Sequence, residues 1–171
     1  MNRPTKDVLK ELYEQNVDAL YRFAYFKMQS HEEEIFDILQ DVFYKLWCEM
    51  LSGKKIDNPR AYLYRMLGNK IIDFYRKHRA TSLETEIETL GENIVWEESK
   101  VENITHAKLE VEKIYKILSW LDDADKDMFI LRFVEEYSPK EIAEIYNQEI
   151  NSITVKLHRL KKMMQEKLKT S

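Results

Sequence analysis

Apolar residues return every three or four positions along most of the chain, and that spacing predicts helices rather than strands. Between Lys6 and Met28 the rhythm is kept by Val8, Leu9, Leu12, Val17, Leu20, Phe23 and Ala24, with no glycine to interrupt it. Ser30-His31-Glu32-Glu33 predicts a turn into a second helix, with Ser30 as its cap and Glu33 in the capping-box position. That helix should run to about Leu51, its apolar face made of Ile35, Leu39, Val42, Phe43, Leu46 and Trp47. In the connector Gly53-Lys54-Lys55-Ile56-Asp57-Asn58-Pro59, Asn58 is a natural cap, and Pro59 fits a first turn that needs no amide hydrogen. A third helix is then expected from Pro59 to about Arg79. Leu63, Leu67, Ile71, Ile72 and Tyr75 should face the first two helices, leaving Arg65, Lys70, Arg76, Lys77 and Arg79 as a basic surface.

The rhythm weakens over residues 81–105, a Glu-rich stretch containing Gly91 that reads as a linker, with a short helix possible near Ile94-Val95-Trp96 and Trp96 able to dock on a domain. Leu109, Ile114, Ile117, Leu118 and Leu121 restore it. Leu121-Asp122-Asp123-Ala124-Asp125 supplies a turn with acidic caps, and Met128, Phe129, Leu131, Arg132 and Phe133 belong to the next helix. A sharper signal follows at Ser138-Pro139-Lys140-Glu141, where a cap, a first-turn proline and a capping-box glutamate open a helix whose Ile142 and Ile145 point inward. Asn147 tolerates the left-handed backbone of a tight turn. A second helix starts between Glu149 and Asn151, buries Ile153, Leu157 and Leu160, and turns Ser152, Thr154, Lys156, Arg159 and Lys162 outward. Two helices across so short a turn form a helix-turn-helix, and the outer face of the second can enter a major groove.

The fold class expected is all-α: two small helical domains, 1–80 and 106–171, joined by the acidic linker 81–105, the second a helix-turn-helix domain of four helices. Only three glycines and three prolines in 171 residues agree with this. Domains of this size bury modest cores and leave little room for a catalytic cavity.

Charge changes the picture more than composition does. The formal net charge of −4 argues weakly against a nucleic-acid partner. Its distribution argues the other way. Residues 54–80 hold eight basic and two acidic groups, and 156–171 hold six and one, whereas 1–53, 81–105 and 106–155 are all acidic. Local potential steers a polyanion, so the two positive patches outweigh the sum. The acidic stretch between them could also screen one patch before DNA binds.

Enzyme chemistry is not legible. His31, His78, His106 and His158 stand in no metal-binding or catalytic spacing, and there is no phosphate loop, dinucleotide fingerprint or nucleophile elbow. No metal, cofactor or catalytic residue is expected. Cys48 is the single cysteine, which fits a reducing cytoplasm, and there is no apolar run of membrane-spanning length or secretion signal. On these residues alone, a helix-turn-helix regulator acting without a polymerase and a plain helical interaction bundle both remain open.

Four stretches in order carry a resemblance. They are Asp37-Ile38-Leu39-Gln40-Asp41-Val42-Phe43-Tyr44-Lys45-Leu46-Trp47, Asn58-Pro59-Arg60-Ala61-Tyr62-Leu63-Tyr64-Arg65, Asn69-Lys70-Ile71-Ile72-Asp73-Phe74-Tyr75-Arg76-Lys77, and Leu131 through Ile145. Together they resemble the sigma-70 superfamily, in its compact extracytoplasmic-function (ECF) group. Gln148 and Glu149 depart from the family's usual apolar and small cap residues, and Asn147 replaces its usual turn glycine.

The resemblance implies a transcription initiation factor, not an enzyme. Asp37, Gln40, Asp41 and Trp47 would bind the clamp helices of core RNA polymerase. Lys54, Lys55, Asn58, Arg60, Asn69, Arg76, Lys77 and Arg79 would serve the −10 element as melted strand. Ser152, Thr154, Lys156, Arg159 and Lys162 would read the −35 element as duplex, in a domain that also touches the polymerase flap. An anti-sigma factor is implied as a further partner. Tyr62, Tyr64, Phe74 and Tyr75 could stack on bases for about 1–3 kcal/mol each, although core packing is the expected role for most of them.

Overall fold

The computed structural model describes residues 5–28, 31–82 and 104–170. Among these residues seven α-helices succeed one another: α1 (Lys6–Lys27), α2 (Glu32–Leu51), α3 (Pro59–Ser82), α4 (Ile104–Leu118), α5 (Asp123–Phe129), α6 (Pro139–Tyr146) and α7 (Ile150–Thr170). Among the described residues there is no strand. The linker's Ile94, Val95 and Trp96, and the acidic stretch expected to screen a basic patch, lie outside them.

The helix starts follow from their capping residues. Asn58 Oδ1 accepts the Ala61 amide at 3.0 Å, and Asp122 Oδ1 accepts that of Asp125 at 2.8 Å. Ser138 and Glu141 close a reciprocal capping box, the Ser138 amide donating to Glu141 Oε2 at 2.8 Å. The second helix corrects the expectation. It begins at Glu32 with His31 in the capping position and no side-chain bond to the free amides, while Ser30 lies outside the described residues. Glu32, Glu33 and Glu34 crowd its first turn instead, where carboxylates meet the positive end of the helix dipole.

α1, α2 and α3 pack together through Leu20, Phe23, Ala24, Ile35, Leu39, Val42, Leu46, Leu63, Leu67 and Ile71, all buried. Two residues expected on that face are not there. Ile72 is 61% exposed and Tyr75 is 40% exposed. Successive residues diverge by about 100° around a helix, so with Ile71 facing inward Ile72 must turn away. Tyr75 still reaches α1 through its hydroxyl, which donates to the Lys27 carbonyl at 2.9 Å.

The helix expected through Phe133 is also different. α5 stops at Phe129, and Ile130–Val134 form a π-helical turn in which the Glu135 amide reaches back five residues to the Ile130 carbonyl at 2.9 Å. The widened turn is anchored by buried Ile130 and Leu131, and Arg132 Nη1 donates to the Tyr137 carbonyl at 2.9 Å. Leu118, Leu121, Met128, Phe129, Ile142, Ile153, Leu157 and Leu160 complete the burial in this half. α3 lies against α6, and α1 against the π turn, so the buried residues of both halves form one cluster.

Candidate nucleic-acid interface

α6 and α7 meet across a turn in which Asn147 takes the left-handed conformation (φ 51°, ψ 49°). Its neighbour Gln148 donates its amide to the Ala143 carbonyl at 2.9 Å. The residues that depart from the family pattern therefore still build a tight, hydrogen-bonded turn. Beyond it, buried Ile153, Leu157 and Leu160 hold α7 to the domain and aim its other side outward. Ser152, Thr154, Arg159 and Lys162 are exposed there, and Lys156 is half-buried. Thr154 Oγ1 donates to its own helix at Ile150 (2.9 Å), and Lys156 Nζ to Gln148 Oε1 (2.8 Å). Arg159 pairs with Asp125 at 3.2 Å while its side chain stays 69% exposed.

The residues assigned to melted DNA have closer company. Asn58 uses one side-chain atom to cap α3 and the other, Nδ2, to donate to Glu144 Oε2 of α6 at 2.6 Å. Arg60 pairs with Glu141 at 3.5 Å and lies over the Tyr137 ring, 5.3 Å from its centroid. Lys54 is bonded to Glu49 at 2.7 Å and to the Tyr62 hydroxyl at 2.9 Å, and Tyr62 in turn bonds Glu49. Lys55 and Asp57 pair in solvent. Further along α3, Asn69, Arg76, Lys77 and Arg79 are exposed, with Arg76 bonded to Asp73 one turn away. Lys54–Arg60 and Arg76–Arg79 thus sit at opposite ends of one helix. Of the four aromatics weighed for stacking, Tyr64 is buried, its hydroxyl 3.1 Å from that of Tyr137 and its ionisation pushed up by burial. Tyr62 and Phe74 are half-buried and Tyr75 is exposed.

Other bonds tie the two halves together. Arg22 holds Glu135 with two parallel bonds of 2.8 and 2.7 Å. Lys27 pairs with Asp127, which also accepts the Tyr146 hydroxyl at 3.1 Å. Burial pushes the Asp127 carboxyl above the usual range, against the opposing pull of Lys27. Glu135, Asp127 and Tyr137 went unnoticed in the sequence because each gains its meaning from a partner on the far half of the chain.

On α2, Asp37, Gln40 and Asp41 are exposed along one stripe, and Trp47 is half-buried near its end. Asp41 pairs with Lys70 of α3 at 2.7 Å. Two aromatics missed by sequence reading flank the stripe, Phe36 (64% exposed) and Tyr44 (68% exposed). Their exposure is a property of the fold, and the sequence carried no signal for it.

His31, Glu34 and His78 also converge, although nothing in their spacing pointed to it. No helix of the described residues is long and apolar enough to cross a membrane.

Two family models match, Sigma-70 region 2 over residues 12–81 and Sigma-70 region 4 over residues 112–164. RNA polymerase sigma factor SigV of Bacillus subtilis is 25% identical over 167 residues, covering 96% of this chain and 93% of SigV. ECF RNA polymerase sigma factor SigW of the same organism is 25% identical over 174 residues, covering 96% and 90%. Among solved structures, CnrH in complex with the cytosolic domain of CnrY is similar with a TM-score of 0.68 at 21% identity, over 98% of this chain and 91% of CnrH. RpoE of Bartonella quintana, in complex with the anti-sigma factor NepR, gives 0.67 at 23% identity, over 96% and 98%. Both halves, in the order expected, match regions of one superfamily, and the chain belongs to it: an ECF-type sigma-70 factor that directs RNA polymerase to promoters.

Proposed function

We propose that this sigma factor divides promoter reading between α7 and the two ends of α3. The single observation that carries the reading is the capping box, left-handed turn and α7 in sequence, with a buried apolar stripe beneath an outward polar and basic face. Ser152, Thr154 and Lys156 face the base edges of the −35 duplex, and Arg159 and Lys162 its phosphates. Lys54, Lys55, Asn58 and Arg60, with Asn69, Arg76, Lys77 and Arg79, serve the −10 strand. Asp37, Gln40, Asp41 and Trp47 bind the polymerase clamp helices, with Phe36 and Tyr44 as apolar anchors beside them, and the C-terminal half touches the flap. The domain limits 1–80 and 106–171, with 81–105 as linker, go with this division. Catalysis belongs to polymerase, so the chain is not itself an enzyme, and its place of action is the cytoplasm where polymerase works. An anti-sigma factor is a further partner, a reading supported by the similar structure of RpoE, which holds the anti-sigma factor NepR.

The arrangement of the halves adds a condition. Asn58 and Arg60 are bonded to Glu144 and Glu141, so a DNA strand must displace the protein's own carboxylates to reach them. Binding both promoter elements at once requires the two halves to part.

Run-off transcription with core polymerase on a library of genomic fragments tests the whole reading. Start sites that depend on this chain should share a two-part motif. Core polymerase starting at the same sites with and without it would end the proposal.

A further inference from the structure

We infer that His31, Glu34 and His78 form a three-ligand site for a divalent transition-metal ion of the zinc class, where the start of α2 meets the distal part of α3. One ligand atom from each residue lies within 4.8 Å of the other two. Bonds of about 2.0–2.1 Å in a tetrahedral zinc site place ligand atoms roughly 3.3 Å apart. Closing the site therefore takes side-chain shifts of at most about 1.5 Å. His78 is exposed, and Glu34 keeps 41% of its side-chain surface, so both can move that far.

A tether on one ring accompanies the proximity. The Nδ1 of His78 lies 3.1 Å from the Phe74 carbonyl oxygen. In the tautomer that donates this bond, Nε2 keeps its lone pair for a ligand role. Metal-bound imidazoles are commonly held by such a bond from the other ring nitrogen, which fixes both tautomer and ring direction.

Packing sets the rings further. His78 lies on Phe74 with centroids 4.0 Å apart, His31 meets Phe74 edge-on at 5.0 Å, and the two imidazoles are 5.4 Å apart. His31 Nδ1 stands 3.7 Å from Glu34 Oε1, one helical turn along α2. Two imidazoles and one carboxylate suit zinc better than magnesium or calcium, which prefer all-oxygen shells. The fourth position is left to water. The bland alternative is an aromatic corner with an incidental histidine–glutamate contact, and metal uptake tells the two apart.

An ion here would pin the start of α2 to α3 beside Arg76 and Arg79, and add positive charge next to them. That consequence rests on the −10 assignment above; the site itself does not.

The full chain, stripped with a chelator, is titrated with zinc against a chromophoric competitor and separately with cobalt. One equivalent should bind with micromolar or better affinity, with the visible bands of tetrahedral cobalt and a higher melting temperature. His31→Ala and His78→Ala should each weaken binding by more than about tenfold. Glu34→Gln should do so too, and far-ultraviolet circular dichroism should show all three folded. Absent saturable uptake, or uptake that survives the two histidine substitutions in folded protein, would overturn the site. A −10 single strand is then titrated with and without zinc. Tighter binding with the metal is expected, whereas unchanged strand affinity beside normal zinc uptake would remove only the DNA consequence.

Discussion

The outer face of α7 and the start of α3 carry similar chemistry, cations among amides and hydroxyls, but the fold treats them differently. On α7 the side chains look outward and their partners belong to the same half: a neutral glutamine for Lys156 and, for Arg159, itself 69% exposed, the buried carboxylate of Asp125. At α3, Asn58 and Arg60 are bonded across to carboxylates of the other half. Such contacts look like a lock, but magnitudes say otherwise. Arg60 and Glu141 keep 45% and 43% of their side-chain surface and stand 3.5 Å apart, a pair worth at most about 1 kcal/mol. Lys27 and Asp127 keep only 10% and 16%, so breaking their pair is far more costly. Of these two ion pairs between the halves, the costlier one to break is therefore remote from Asn58 and Arg60, and it adds to the apolar cluster that both halves share.

The largest effect expected falls on the open face. Reversing Lys156, Arg159 and Lys162 together to Glu should lower duplex affinity about a thousandfold at 50 mM salt and flatten the salt slope by about 1.8, the share of the two phosphate contacts. Fluorescence anisotropy over a salt series checks it, and an unchanged slope would mean that α7 does not touch phosphates.

Next comes the remote tie. Lys27→Ala leaves Asp127 buried with only the Tyr146 hydroxyl and should weaken closure by about 3 kcal/mol. Energy transfer between dyes on the two halves should fall. Glu144→Lys, at a contact with Asn58 itself, should shift the same signal by no more than about 1 kcal/mol. Equal shifts from the two would erase the distinction between remote tie and local contact.

The smallest effect concerns Glu141, which serves both the α6 cap and Arg60. Hydrogen bonds from the Ser138 amide and hydroxyl hold its carboxyl below the usual glutamate range. A depressed carboxylate stabilises the fold above the ordinary glutamate value of about 4.3, and that contribution is lost as pH falls through the lower folded value. Glu141→Gln should cost under about 1 kcal/mol at pH 7 and make the acid decline of the melting temperature shallower. A decline as steep as the parent's would show that the glutamate carries no such linkage.

Much of this architecture was readable because its signals are local. Ser138, Pro139 and Glu141 announce α6 within four residues, Asn147 marks the turn, and Ile153, Leu157 and Leu160 repeat on one side of α7. Asp122 and Asn58 are equally local. Failures came where the deciding partner is distant or the backbone departs from regular helix. Ile72 and Tyr75 satisfied a hydrophobic count, but only the direction set by buried Ile71 shows that Ile72 faces solvent. Ser30 matched a cap motif, yet α2 starts after His31, where three glutamates meet the dipole. Glu135, Asp127 and Tyr137 look like surface or filler residues until α1 and α3 are laid across them. The residues placed on α7 spread over the wide arc that its buried stripe leaves open, Thr154 lying about 160° from Ser152 and Lys156, whereas those placed on α3 fall at its two ends and, for Asn69, in its middle.

The π turn at Ile130–Val134 gives the chain a slack of length that substitutions would not reveal. It accommodates one residue beyond what a regular helix needs over the same rise. Deleting a single residue there would let ordinary helix form over that rise and leave α6 and α7 in place, whereas the same deletion inside α2 would turn everything beyond it by about 100° about the axis. A shortened chain that still folds would be the mark of that slack, a margin of length rather than of chemistry.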